Sequence, residues 1–409
     1  MNILICGDSF KSITGLSEVA IGIFKYFKLR NYKVAYCIIE GKSCTDIDVY
    51  NNIYLQDFSD FQFYNGSESQ ENFDKAILDF KPHIVFSIND PWKVDNIAFS
   101  TYRDTYKWIH YCPIEGNHYS EYLIYPDKNS FRKSLKEVFN ECDLIIPYTQ
   151  IGQMIIKRLT DKNNVTTYLY NGIQDIDIVK VDRHKIFKGH VKDDDFLFMT
   201  TGTNFRRKGI DYIIEAFHLY LQSVDNPEKY KLYIHGNLDT FNSATDIKSM
   251  VKDLDILNNV IYSSKNQLSK YELYERYKCA DCYIGLPLAE GFGLGFAEAM
   301  LNKIPIIAHD YGGYIEYIQQ YEKVSSCANY YPDNHFSLWK IPNIKETVQA
   351  MKVIVQGKNK YDYTSENYHF AKSNLIWEKI YEKLDIILKD ILTTYREDIV
   401  HSLQIRRVI

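Results

Sequence analysis

The chain has 409 residues, 45% of them apolar and 25% charged, more than one ordinary hydrophobic core serves, so two globular domains are expected. Its net charge of −5 removes the overall basic balance that non-specific nucleic-acid binding uses, while leaving room for a local basic patch. The eight cysteines are scattered; Cys279 and Cys282 form a lone CxxC with no second pair or ligand-spaced histidines, so they read as buried thiols of a reducing compartment, not as a zinc site.

In chain order, NILICG is a short apolar strand, so no leader is expected ahead of it. LSEVAIGIFKYFKLRN follows with Leu16, Val19, Ile23 and Phe27 at helical spacing, then the strand YKVAYCIIE. A helix and strand in FDKAILDFKPHIVFSIND break at Pro82, and KWIHYCPIEG and CDLIIPYT supply two more strand ends. The same grammar restarts near 195: strand DFLFMTTGTN, helix GIDYIIEAFHLYLQSV, strand KLYIHGN, helix LSKYELYERYKCA, strand CYIGLPL, helix GFAEAMLNK, strand IPIIAHD. A polar connector around 172–192 separates the halves, the DDD run at 193–195 reads as linker charge, and beyond about 345 the pattern is mostly helical. Strands alternating with helices predict parallel sheets covered on both faces, in an α/β chain of two doubly wound domains. No stretch approaches a membrane span, and a cytoplasmic location is expected.

In such sheets ligands sit beyond the C-terminal strand ends. That singles out five segments: Gly7–Gly15, Ile109–Gly116, Thr201–Gly209, His235–Asn237 and Leu286–Gly295. In EGFGLGFAEAM, glycines 291, 293 and 295 open a helix whose free N–H groups and dipole favour an anion such as a phosphate, and Glu298 is expected in its first turn. Glu290 and Glu298 are placed to accept hydrogen bonds from sugar hydroxyls flanking a diphosphate, although a plain capped helix has the same glycines. Arg206, Arg207 and Lys208 precede a helix, where positive charge opposes the dipole and calls for an anionic partner; a solvated basic turn accounts for the same run. Gly202, Thr203, Asn204 and Gly236 line the neighbouring strand ends. Gly15 opens a helix after the first strand without matching GxGxxG, with Thr14 or Ser17 as its cap. His110 is expected at a strand end facing the cleft, and Glu115 faces either an acceptor or solvent.

Together these segments resemble the family 4 glycosyltransferases of GT-B fold. EGFGLGFAEAM followed by KIPIIAHDYGG is similar to that family's Glu-x7-Glu signature with its next strand and Gly-Gly turn, and RRKGIDYIIEAF to its phosphate-binding Lys-Gly and helix. The Gly15 loop, the His110 strand, YLYNGI before the linker and the Trp-bearing NLIWEKIYEKL follow in the family's order. The resemblance implies two Rossmann-like domains facing a central cleft, with boundaries expected at 1–172, 173–374 and 375–409, the last segment a helix crossing back to the N-domain. It implies a retaining, metal-independent transferase using a nucleotide-diphospho-sugar as co-substrate, with UDP ahead of GDP. By the same resemblance Glu290 holds donor-sugar hydroxyls with the N–H groups of Phe292, Gly293 and Leu294, Glu298 binds the ribose, and Lys208 neutralises the diphosphate. His110 would lie against the donor sugar, and Gly15 would let the N-domain loop approach it. Two departures stand out: Thr203 occupies the position of the family's arginine, so Arg206 or Arg207 replaces it, and Gly295 stands where a proline is common.

A GT-B nucleotide-sugar epimerase and a non-catalytic sugar-nucleotide module are the alternatives. A glycosidase pair is rejected, because a glutamate at a helix start beside cations stays ionised and makes a poor general acid. The acceptor is open between glycan, lipid, protein and modified nucleobase, as is the oligomeric state. Lys107, Trp108, Arg132 and Lys133 are the residues that a membrane-surface or nucleic-acid acceptor would use.

Overall fold

A computed structural model describes residues 1–9, 14–40, 62–66, 69–116, 134–165, 167–239, 244–263, 268–332, 337–357 and 360–405. The N-terminal half builds one parallel sheet from β1 (Asn2–Asp8), β2 (Lys33–Glu40), β3 (Gln62–Asn65), β4 (Ile84–Ile88), β5 (Lys107–Cys112) and β6 (Leu144–Pro147), in the order β3-β2-β1-β4-β5-β6. The second half repeats it with β7 (Phe196–Thr201), β8 (Tyr230–His235), β9 (Val260–Tyr262), β10 (Cys282–Gly285), β11 (Ile306–His309) and β12 (Glu322–Val324), in the order β12-β11-β10-β7-β8-β9. Both are doubly wound, and each reverses direction between its first and fourth strands, β1 and β4 in one and β7 and β10 in the other. An antiparallel hairpin that the sequence reading missed, β13 (Ser326–Tyr330) with β14 (Trp339–Pro342), follows the second sheet.

The strands are continuous apolar runs because both faces are covered. In β4 every residue is buried. The helix Gly15–Leu29 buries Val19, Ile23 and Phe27 on the sheet, as their spacing predicts. The connector is less polar in space than in sequence, since Ile173, Ile178, Phe187 and Val191 are buried. One apolar cluster runs from Ile3 and Ile5 through Tyr170, Phe292 and Tyr317 to Leu384 and Leu388, so the domains share core on one side of the cleft.

The last helix, Trp377–Ile405, returns to the N-domain. Ile173 and Ile376 form a parallel bridge at the crossing, and the Tyr381 hydroxyl donates to the Gly22 carbonyl (2.9 Å). The Tyr26 hydroxyl donates to Asp385 (2.9 Å), which also holds the Arg30 guanidinium. The indole of Trp377 lies between Gly22 and Gly172: a Cβ on either would fall 1.9 Å or 2.2 Å from its ring atoms.

Two sequence expectations need correction. β5 continues to Cys112, so His110 lies two residues inside the strand. It is fully buried on the face that also carries Trp108 and Cys112, its Nδ1 paired with the Ser87 hydroxyl (2.8 Å). Trp108 is also fully buried and donates its indole N–H to Ser87, so it offers no surface to a membrane or nucleic acid. Lys107 is exposed and paired with Asp143 (3.3 Å), while Arg132 and Lys133 lie outside the described residues.

Two predictions follow from this packing. Gly22→Ala should cost about 1–3 kcal/mol by overpacking against Trp377, and Trp377→Ala should destabilise too. The double variant should be less destabilised than the sum, as melting temperatures of the four proteins in the cycle would show. Burial pushes His110 down to about 3 and His235 down to about 4. Below an unfolded pKa of about 6.5 the unfolded chain binds protons that the folded chain refuses, so stability falls with pH, by about 2 kcal/mol per histidine at pH 5. His110→Gln should flatten the melting temperature against pH between pH 4 and 6.5 by one histidine's share.

Candidate active site

The chain brings its chemistry to the two switch points. On the C-domain side, β7 ends at Gly202 and Thr203, β8 at Gly236, and β10 leads through Leu286 into the loop that carries Glu290. Residues Arg206–Lys208 form one turn of 3-10 helix. Their backbone is stitched to the β10 loop by the Leu288 N–H, which donates to the Arg207 carbonyl (2.8 Å). The loop around Gly291 is closed by the Gly-Gly turn: the Gly313 N–H donates to the Glu290 carbonyl (2.8 Å).

The three cations diverge. Arg206 turns outward to Asp211 (3.8 Å) and the face of Tyr330. Arg207 and Lys208 turn to the cleft and meet at one oxygen of Glu290, Oε2, at 3.1 Å and 2.5 Å. Arg207 also donates to the Ala289 carbonyl (2.9 Å) and reaches across the cleft to Glu115 of the N-domain (2.9 Å). Its own burial works against its charge, and Glu115 and Glu290 outweigh that, raising its pKa. Among the described residues nothing donates to Glu290 Oε1.

The helix Leu294–Leu301 starts beside this cluster. Gly293 precedes it with φ +85°, a conformation that L side chains rarely adopt, and its first turn of N–H groups has no i−4 carbonyl. The Phe292 side chain packs with Tyr317 and Tyr170 in the core, so only its backbone borders the loop. Glu298 is the fifth residue of this helix, not in the first turn as expected, and is almost fully buried. Its Oε1 accepts from the Lys270 ammonium (2.6 Å) and its Oε2 from the Tyr277 hydroxyl (3.0 Å). Gly295 has a local reason for not being proline: a Cβ there would lie 2.1 Å from the Tyr283 hydroxyl and 2.5 Å from that of Thr201.

Some expected donor residues serve the loops instead. The Asn204 side chain donates to the Thr245 carbonyl (2.9 Å) inside the C-domain. Gly236 packs on the Gly202 carbonyl, and the Gly202 N–H donates to that of His235 (2.8 Å), holding the two strand ends together. No hydrogen bond of the Thr203 side chain joins it to the cation cluster. His110 is fully buried with its Nδ1 paired to Ser87.

On the N-domain side Thr14 caps the helix Gly15–Leu29 with Ser17 completing a reciprocal capping box. Gly15 faces Leu294 across the cleft, where a Cβ would come 3.3 Å from its Cδ1. Sequence reasoning passed over three acidic groups here. Asp8 ends β1, accepting from Asn89 (2.9 Å) and Thr14 (3.2 Å). Asp90 follows β4 beside Lys93 (3.4 Å), and burial and then Glu115 push it up to about 7. Glu18 of the first helix pairs with Lys270 (2.6 Å). Lys270 was missed as well, although a lysine at the first position of a helix opposes the dipole as the Arg206–Lys208 run does.

Residues 182–369 match the family described as glycosyl transferases group 1, a span that holds every C-domain residue named above. Alpha-monoglucosyldiacylglycerol synthase of Streptococcus pneumoniae is 32% identical over 102 residues, which are 25% of this chain and about a fifth (21%) of that protein's length. The structure of Anabaena HepE in complex with UDP and glucose is similar with a TM-score of 0.69 at 14% identity, over 95% of this chain and 100% of that one. Sucrose-phosphate synthase from Thermosynechococcus elongatus gives 0.70 at 12% identity, over 96% and 100%. The chain thus carries the GT-B fold, and its residues 182–369 are similar to the glycosyl transferases group 1.

Proposed function

We propose that the protein transfers a hexose from a nucleotide-diphospho-sugar, UDP-linked in preference to GDP-linked, to an acceptor hydroxyl with retention of configuration. The observation that carries this reading is the convergence of Arg207 and Lys208 on Glu290 beside the start of the helix Leu294–Leu301. Two cations beside a helix start whose first N–H groups have no i−4 carbonyl suit a diphosphate. The HepE structures hold UDP and UDP-glucose on a similar fold, which supports uridine as the base.

In this reading Glu290 has a different partner before and after binding. In the free chain its Oε2 neutralises Arg207 and Lys208; with donor bound the diphosphate competes for both cations. Glu290 Oε1 then takes a hydroxyl of the donor sugar. Arg207 rather than Arg206 replaces the family's arginine at Thr203, because Arg206 is committed to Asp211 and Tyr330. The bond from the sugar's anomeric carbon to the phosphate oxygen breaks, and one to the acceptor oxygen forms on the same face. The acceptor proton passes to the departing phosphate oxygen. Lys208, Arg207 and the helix N–H groups hold the charge that develops there, so the leaving group needs no metal. Glu115 and Asp90 border the acceptor side. Among the described residues no helix is long and apolar enough to cross a membrane. None of the described cysteines is in a disulfide, which fits a reducing compartment such as the cytoplasm.

The test is a thermal-shift screen of nucleotide-sugars followed by product analysis with the stabilising donor. Transfer or slow hydrolysis of a UDP-hexose is expected; a new nucleotide-sugar formed without acceptor would replace the reading with an epimerase. Lys208→Ala and Arg207→Ala should each lower kcat by about 10²–10³-fold, the usual worth of one donor to a developing oxyanion. Arg206→Ala should stay within about threefold, since a single exposed pair contributes little. Equal losses for Arg206 and Arg207 would overturn the assignment.

A further inference from the structure

The ion triad Glu18–Lys270–Glu298 lies outside the diphosphate cluster, and nothing in the transfer reaction uses Lys270. Its burial is unusual for a lysine: the side chain is 10% exposed and bridges two carboxylates at 2.6 Å each. One belongs to the helix that opens at Gly15 in the N-domain, the other to the helix that opens at the diphosphate cluster in the C-domain. The two carboxylates together outweigh the cost of burial and hold the ammonium charged.

The hydrogen-bond count at Glu298 is informative. An ionised carboxylate offers about four lone-pair sites, two on each oxygen. Lys270 takes one on Oε1 and Tyr277 takes one on Oε2. Among the described residues one acceptor site is left on each oxygen, a pattern that two adjacent hydroxyls can fill together. Tyr277 is itself fixed, fully buried and with its hydroxyl within 3.4 Å of Thr201 at the end of β7. The carboxylate therefore has one rotamer enforced from both ends.

We infer that Lys270 is a positioning residue that holds Glu298 ready for the vicinal diol of a ribonucleoside diphosphate and, through Glu18, ties that binding to the juxtaposition of the two domains. The inference rests on the donor reading above and on the ribose role that the resemblance implies for Glu298; what it adds is Lys270 and its tie to Glu18. An ammonium serves both roles because it donates in several directions from one point. A purely structural strut between the domains would need the same salt bridges but would not care which pentose the nucleotide carries.

The experiment is calorimetric titration of the full chain with UDP and with its dideoxyribose analogue. The wild type should prefer UDP by roughly ten- to a hundredfold, the worth of hydrogen bonds to a charged group. Lys270→Met and Tyr277→Phe should lose most of that ratio, and Lys270→Arg should recover it. Glu18→Gln should keep the ratio and weaken both ligands alike by about threefold or more, as expected for a lost interdomain charge pair. Should Lys270→Met fail to fold, Tyr277→Phe and Glu18→Gln still decide. An unchanged ratio in folded Lys270→Met or Tyr277→Phe overturns the positioning role, and unchanged affinities in Glu18→Gln overturn the link between domains. A wild type that binds UDP without preferring ribose also overturns the inference and leaves the donor reading intact. No binding of UDP or any other nucleoside diphosphate overturns the donor reading itself.

Discussion

The cleft supplies counter-charges to its own cations, and most of the site follows from how it does so. Arg207 is held between Glu115 and Glu290, one from each domain, and Lys208 shares Glu290. Breaking one partner out of a buried charge set leaves an uncompensated charge, which costs far more than the intact set contributes. The charge set thus holds the two domains in register at Arg207. In the proposed reading a diphosphate substitutes for the carboxylates, with more charge and more acceptor oxygens.

Around that point the C-domain is rigid and the domain contacts are few in kind. The Gly313, Leu288 and Gly202 N–H groups fasten the loops after β10 and β7 to their neighbours. Across the cleft, the second helix-cap interaction repeats the electrostatic logic. Glu316 accepts from the N–H groups of Gln150 (2.7 Å) and Ile151 (3.0 Å), placing a C-domain carboxylate at the positive end of an N-domain helix. With Trp377 seated between Gly22 and Gly172, three kinds of force hold the halves of the chain together: ion pairs at Arg207–Glu115 and Lys270–Glu18, a helix cap at Glu316, and apolar packing.

The parts of the site that sequence made legible are those where local chemistry is unusual. Cations before a helix violate a local preference and a run of glycines before one stands out in composition, and both mark the cluster of Arg207, Lys208 and Glu290. What remained hidden was direction. Arg206 and Arg207 are adjacent and chemically identical, yet one faces Tyr330 and the other Glu290, because a 3-10 turn points consecutive side chains about a third of a turn apart. His110 drew attention as a lone histidine near a strand end, and two further residues of strand bury it on the wrong face. Asp8, Asp90, Glu18 and Lys270 went unmarked because a single charged residue after a strand or in a helix is common, and their meaning lies in partners far away in the chain.

The sequence by itself determined that the chain is α/β and two-domain, and which loop carries the glycines and cations, because periodicity and local capping preferences are written in neighbouring residues. Only the tertiary structure decided the strand orders that put β1 beside β4 and β7 beside β10. It also decided which cation faces the cleft, and that Glu115 and Glu18 from the N-domain complete charge clusters begun in the C-domain. The reason is physical: a salt bridge between residues some ninety or two hundred and fifty positions apart leaves no local trace, and only the packing of two sheets brings its halves together.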